Sequence, residues 1–419
     1  MSAIRSSPSS PPTPSSPSTP SPPSTSSVPS SSSSASAAAE PRVGVVVITR
    51  NRRERLLGTL DRLAALPERP PVAVVDNGST DGTARAVRDR HPQVRLLTPR
   101  RNLGAVGRNV GAAALHTPYV AFADDDSWWE PGALDRAAAL FDGHPRLGLI
   151  AAAVRVGREG RPDPLNEVLA ASPLGRASDL PGPSVLGFLA CAAVVRREAF
   201  LGAGGFDRVL HFGGEEELLA LELATRGWGL AHCPQVIAWH DPDPGPRAGR
   251  SARMLRNELL TAWMRRPLPR AASRTWSLLR ACPRDPEARD ALAGAVRRLP
   301  AAVSRRRVVP PWVEHGVRIL EGGRSQRERR TAHSPQERRT ANDEPDAGRP
   351  PESAAPCPSP AAPPPEPPPL NPSPHPHPHP HLNPSPPAGG AADERPSRTS
   401  IAALHTLRAT STEAGGELP

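Results

Sequence analysis

The sequence predicts an α/β fold: a Rossmann-like, mostly parallel sheet flanked by helices. Two observations lead there. Short apolar runs, Val43–Thr49, Val72–Asp76, Val94–Leu97 and Tyr119–Ala123, alternate with stretches of helical periodicity. Three of these runs also stop abruptly at polar side chains: Thr49-Arg50, Asp76-Asn77 and Asp124 to Asp126. In such sheets ligands bind beyond the carboxyl ends of the strands, so the three ends are expected to share one edge.

The elements follow in order. Val43–Thr49 is β-branched but for Gly44, as suits a strand buried on both faces. Asn51 is the expected N-cap of a helix over 53–66, whose Leu56, Leu57, Leu60 and Leu63 share one face. After the strand Val72–Asp76, the Asn77-to-Gly82 stretch is turn chemistry leading into a helix over 83–90. Arg101 to Gly107 is a glycine-containing loop before a small-residue helix over 108–115. Pro131–Phe141 is a helix with proline in its first turn, Leu147–Val156 a strand, and 157–186 irregular. Phe188–Val195 is expected as a strand, Arg197–Leu201 as a short helix, and 214–226 as a helix with Glu215, Glu216 and Glu217 in its first turn. Leu230–Cys233 and Gln235–Trp239 are expected as two short strands, and 251–320 as three or four helices.

Composition sets the outer limits. Residues 1–41 are a Ser/Pro-rich tail and 321–419 a Pro-rich one; neither holds enough apolar surface to offset chain entropy, so both are expected to be disordered. That leaves 42–245 as the α/β domain and 246–320 as an Arg-rich helical extension. The net charge is +10, and the chain has no Lys. Between 246 and 330 stand 21 Arg against 7 acids, a block suited to anionic lipid or an acidic partner, or simply to a solvated helical surface. No helix-turn-helix, zinc-finger or aromatic-rich RNA motif accompanies it, so nucleic acid is not an expected partner. The four cysteines are far apart and fit a reducing cytoplasm. Neither a secretory signal nor a membrane-spanning run is visible, so the expected location is cytoplasmic, peripheral at the inner face of the membrane if the Arg block binds lipid.

The triplet Asp124-Asp125-Asp126 directly after a buried strand brings like charges together, and a hard divalent ion accommodates such a set. A solvated acidic turn is the other explanation. The glutamates at 215–217 suit either the positive end of a helix or acid–base chemistry.

Taken in order, VVVITRNR, VVDNGSTDGT, NLGAVGRNVG, FADDD, GGF and GGEEELLALELATRGW resemble the family 2 glycosyltransferases of GT-A fold. The resemblance spans about 43 to 240. It implies an inverting enzyme that moves a sugar from a nucleotide-diphospho-sugar to an acceptor hydroxyl, assisted by a divalent cation, Mn2+ or Mg2+. It implies Asp124 and Asp126 as the metal-binding DxD pair, Asp124 lying nearer the ribose, with His240 as a further ligand. Thr49, Arg50, Asp76 and Asn77 would line the nucleotide pocket, and Arg108 and Asn109 would lie near the diphosphate or ribose. Asp76 serves equally as a turn residue. The family has Glu-Asp where this chain has Glu215-Glu216; the base role falls on Glu216, with Glu215 or Glu217 as alternatives. The acceptor would be a glycan, a lipid-linked saccharide or a small molecule. A catalytically inactive nucleotide-sugar-binding protein of the same fold is the alternative reading. Nucleotidyl transfer would call for a phosphate loop after the first strand, where this chain has Thr49-Arg50-Asn51-Arg52.

Overall fold

The computed structural model describes residues 40–243 and 249–333, with side chains to 323. The two terminal tails, with the His-Pro repeat of the second, lie essentially outside the described residues. The first half alternates as expected: β1 (Val43–Thr49), α1 (Arg53–Ala64), β2 (Val72–Asp76), α2 (Thr83–Arg90), β3 (Arg95–Leu97), α3 (Gly107–Ala114) and β4 (Tyr119–Asp124). These strands lie in the order β3-β2-β1-β4 and are all parallel. Register aligns their ends, with Thr49 opposite Asp76 and Ile48 opposite Asp124.

Beyond β4 the sheet becomes mixed. β5 (Ser127–Trp129), α4 (Ala133–Gly143), β6 (Leu147–Val156), β7 (Arg161–Pro162), α5 (Leu165–Ala170), β8 (Ala193–Arg196), α6 (Arg197–Gly202), α7 (Glu216–Thr225) and β9 (Gly229–His240) complete this part. β8 runs antiparallel to both β4 and β6, while β9 is parallel to β6 and antiparallel to β5. The antiparallel turn at β5 folds the segment after the acids back under His240, which pairs with Ser127.

Four local expectations need correction. Asn51 does not cap α1: it has φ +54°, and its side-chain oxygen accepts from Thr80 N at 2.8 Å, pinning the β2–α2 turn instead. The apolar run 188–195 reports burial more than pairing, because Ala190–Ala192 form a 3-10 turn before β8 begins. The two expected strands after Gly229 are one strand, interrupted where its register against β6 jumps from Cys233 to Ile237. Pro234 lies in that bulge, where a missing N–H breaks no ladder bond. The 157–186 stretch is not wholly irregular, since β7 and α5 lie within it.

Four helices follow: α8 (Arg250–Arg265), α9 (Leu268–Ala281), α10 (Pro286–Val303) and α11 (Pro311–His333). The main core fills both sides of the sheet and takes in Val309, Val313 and Val317 from the chain's later part. A second core joins Val209, Leu210 and Leu218 to Leu259, Leu260, Met264, Leu278 and the alanines of α10. The late helices therefore pack directly on the segment that leads into α7. Gly111 sets α3 close on β1: a Cβ there would stand 2.4 Å from a methyl of Val46.

Candidate active site

The carboxyl ends of β1, β2 and β4 form a polar edge, as the sequence predicts. Asp76 is buried and its Oδ1 accepts from Ser79 N at 2.8 Å, so its carboxylate shapes the turn after β2. Asn77 staples the glycine loop, donating to Gly104 O at 3.2 Å and accepting from Leu103 N at 3.1 Å. Thr49 is buried and donates to Asp125 Oδ2 at 2.9 Å. Arg50 extends outward, exposed, from the end of β1.

The three acids separate. Asp124 accepts from Arg108 Nη2 at 2.5 Å. Asp125 turns inward to Thr49, and Arg52 Nε stands 2.7 Å from its Oδ1. Burial pushes the Asp125 carboxyl up to about 7, with Arg52 opposing. Asp126 lies between Arg52 Nη2 at 3.0 Å and His240 Nε2 at 3.5 Å. Arg52 also meets Asp243, and Arg55 meets Asp241 and Asp243, so the strand end after His240 is tied to the first turn of α1. The sequence reading gave Arg52, Asp241 and Asp243 no role; the run of arginines at 50–55 was their one visible sign.

Arg108 connects this edge to the second acidic cluster. It is 1% exposed, its Nη1 stands 3.5 Å from Glu215 Oε1, and its guanidinium lies over the Phe206 ring. One buried cation thus faces Asp124 and Glu215 together. Glu215 is buried just before α7, and burial, reinforced by the Glu216 charge and opposed by Arg108, pushes its carboxyl up to about 8. Glu216, the first residue of α7, is half-buried, as is Glu217. Asn109 brackets Phe206 instead of facing the strand ends: its amide accepts from Phe206 N at 2.9 Å and donates to Phe206 O at 3.0 Å.

The approach to α7 is shaped from far along the chain. Asn257 of α8 is fully buried and donates to the carbonyls of Leu210, Phe212 and Gly213, at 3.0, 3.2 and 2.5 Å. His211 O accepts from Ala105 N at 2.7 Å, joining this loop to the glycine loop before α3. Gly104 has φ +61°, and a Cβ there would stand 2.3 Å from His211 O, so a glycine is required. Trp128 and Trp129 do not form an open sugar platform. Trp129 is buried, and Trp128 stacks on Trp239 under Arg62.

As a metal site the edge offers a partial donor set. Among the described residues no group of three or more His, Cys, Asp or Glu stands ready as a cage. The Asp126–His240 pair, hard oxygen beside imidazole, fits a divalent ion such as Mn2+ or Mg2+. Asp124 can join the pair only by sharing its contact with Arg108.

Residues 44–202 match the profile of Glycosyl transferase family 2. The chain is 29% identical over 230 residues to an N-acetylglucosaminyl-diphospho-decaprenol L-rhamnosyltransferase of Mycobacterium tuberculosis, covering 47% of this chain and 75% of that protein. It is 32% identical over 209 residues to a pre-mycofactocin glycosyltransferase of the same organism, covering 48% of this chain and 42% of that one. Among solved structures, a mannosyltransferase from Pyrobaculum calidifontis in complex with GDP-Man and Mn2+ aligns with a TM-score of 0.42 and 22% identity, over 70% of this chain and 83% of that one. Residues 44–202 thus carry the likeness to glycosyltransferase family 2, and the chain is a glycosyltransferase with a mixed α/β fold.

Proposed function

We propose that the protein is an inverting glycosyltransferase that takes a nucleotide-diphospho-sugar at the β1, β2 and β4 ends and delivers the sugar to a hydroxyl activated by Glu216. The observation that carries this reading is the bridge at Arg108, which faces Asp124 on the strand-end side and Glu215 beside α7. It sets a donor side and a base side on opposite sides of one buried guanidinium. Thr49, Arg50 and Asp76 line the nucleotide end. Asn77 and Asn109 act indirectly, by holding the glycine loop and the Phe206 turn.

Asp126 and His240, with Asp124, are the residues that would hold a divalent ion, whose chemistry is Lewis-acid stabilisation of the leaving nucleotide diphosphate. Arg52 neutralises Asp125 and Asp126 and keeps their carboxylates together. Glu216 takes the acceptor proton as the hydroxyl attacks the anomeric carbon on the face opposite the leaving group. Glu216 suits this better than Glu215, because Glu215 is sealed against Arg108 and Glu216 keeps part of its surface open.

A lipid-linked acceptor is favoured over a soluble glycan or metabolite, because one relative is named for a diphospho-decaprenol acceptor. No helix among the described residues is long and apolar enough to cross a membrane. The Arg excess after 246 supports work at the inner face of an anionic membrane, held peripherally.

The reading is tested by thermal shift of the full chain with UDP-, TDP- and GDP-sugars, with and without Mn2+ or Mg2+, beside Asp126→Ala. A metal-dependent shift with one nucleotide class, absent in the variant, is expected. A folded protein that no donor shifts would contradict it.

A further inference from the structure

The arginines after residue 246 fall into two classes. One is engaged within the fold: Arg265 and the more exposed Arg307 meet Glu222, Arg266 meets Glu314 and Glu321, and Arg305 meets Asp207. Arg306 donates to the carbonyls of Trp263 and Arg266. The triplet Arg305-Arg306-Arg307 looks in the sequence like a basic membrane contact. Its members instead bind the helices to each other and to the segments around α7. The other class faces outward: Arg270, Arg280 and Arg284 are exposed and make no ion pair among the described residues.

Beside these outward cations runs an apolar stripe. Leu268, Ala272, Trp276 and Leu279 follow one line along α9 at spacings of four, four and three. Leu268 is 57% exposed, Trp276 55% and Leu279 43%, and α9 contains no acid. The helix cannot roll to hide them. Its other face places Ala271 and Leu278 in buried positions, Arg274 is paired with Glu258 and Glu321, and Thr275 Oγ1 accepts from Trp263 Nε1 at 3.0 Å. Arg280 lies over the Trp276 ring, 5.0 Å from its centroid, so a cation and an amphipathic ring stand together at the surface.

We propose that the outer face of α9 docks on an anionic lipid surface: Leu268, Trp276 and Leu279 enter the interface while Arg270, Arg280 and Arg284 meet the headgroups. An apolar stripe with Trp, bordered by Arg and free of acids, has the chemistry of an interfacial helix. Charge argues against a second copy as the occupant, because a twofold contact would set this face on itself, guanidinium against guanidinium, with no carboxylate on α9 to offset them. The inference rests on the peripheral-membrane reading above and assigns the face that carries it out.

The test is co-sedimentation of the full chain with phosphatidylglycerol/phosphatidylcholine vesicles and with phosphatidylcholine alone, at low and high salt. Wild type is expected on the anionic vesicles only, released as salt rises. Trp276→Ser with Leu279→Ser, and separately Arg280→Glu with Arg284→Glu, should each lower partitioning about tenfold. Val296→Ser, equally exposed on α10, should leave it unchanged. Circular dichroism confirms that the variants are folded. Anionic-vesicle binding that survives both α9 variants overturns this face while sparing the membrane reading. No wild-type binding overturns both. A change in oligomeric state with Trp276→Ser/Leu279→Ser, at unaltered vesicle binding, would assign the stripe to a second copy and overturn the proposal.

Discussion

The two sides of the site are built in opposite ways. On the strand-end side, Thr49, Asp76 and Asp124 sit where neighbouring parallel strands stop, in register. On the side to which the proposal assigns the base, Glu215 and Glu216 stand at the start of a helix whose entry loop is held from outside: by Asn257, some 40 residues on, and by the glycine loop before α3. The first side is a consequence of topology. The second depends on long-range contacts, and damage to it should reach catalysis while leaving nucleotide binding in place.

Substitutions can break or sharpen that contrast. Glu216→Gln has the largest expected effect, a fall in kcat of roughly a thousandfold with donor affinity kept, if Glu216 is the base. Arg108→Met should damage both sides at once, leaving Asp124 and Glu215 without their shared cation. The loss expected is about 3–5 kcal/mol of stability, read by denaturant unfolding, because a buried charge set loses its partner. Asn257→Ala should cost about 2–3 kcal/mol for the buried carbonyls it leaves unbonded. It should also lower kcat without weakening nucleotide binding; equal losses of both would erase the distinction between the sides.

A pH series separates the two glutamates. The Glu215 carboxyl is raised in the folded protein, to about 8, above its unfolded value of about 4.3. Its contribution to stability is therefore fully present below the unfolded pKa and is lost as pH rises through the folded one. Glu215→Gln should flatten the fall in stability between those limits and make the variant the more stable form at the alkaline end, measured as denaturation midpoints. Arg307→Ala should do least, within about 0–1 kcal/mol, because the Arg307 side chain is exposed and Glu222 keeps its pair with Arg265.

The strand-end side was legible because its signals are local. β-branched runs mark buried strands, and acids directly after such a run mark its end, so Asp124 and Asp126 were placed without a structure. Even there, the direction of each side chain was not readable. Asn109 and Asn77 carry the right chemistry for a ligand, yet their amides hold backbone, and Trp128 and Trp129 pack away. The base side was legible only as far as the glutamates. Nothing local marks Asn257 as the clamp on residues 210–213, since a buried Asn in a helix has the same sequence signature as an exposed one. The Arg block was only partly legible for the same reason: Arg305 and Arg306 are basic in sequence but engaged within the fold, whereas the outward stripe of α9 shows only once its buried face is known.

In the proposed reading, buried Arg108 separates a donor side from a base side. The most direct test measures nucleotide-sugar affinity by calorimetry, with the metal present, and turnover in the same samples of full-length wild type, Asp126→Ala and Glu216→Gln. Asp126→Ala is expected to lose affinity, while Glu216→Gln is expected to bind the donor as wild type does and not to turn over. Turnover retained in Glu216→Gln, or donor affinity undiminished in Asp126→Ala, would contradict the reading.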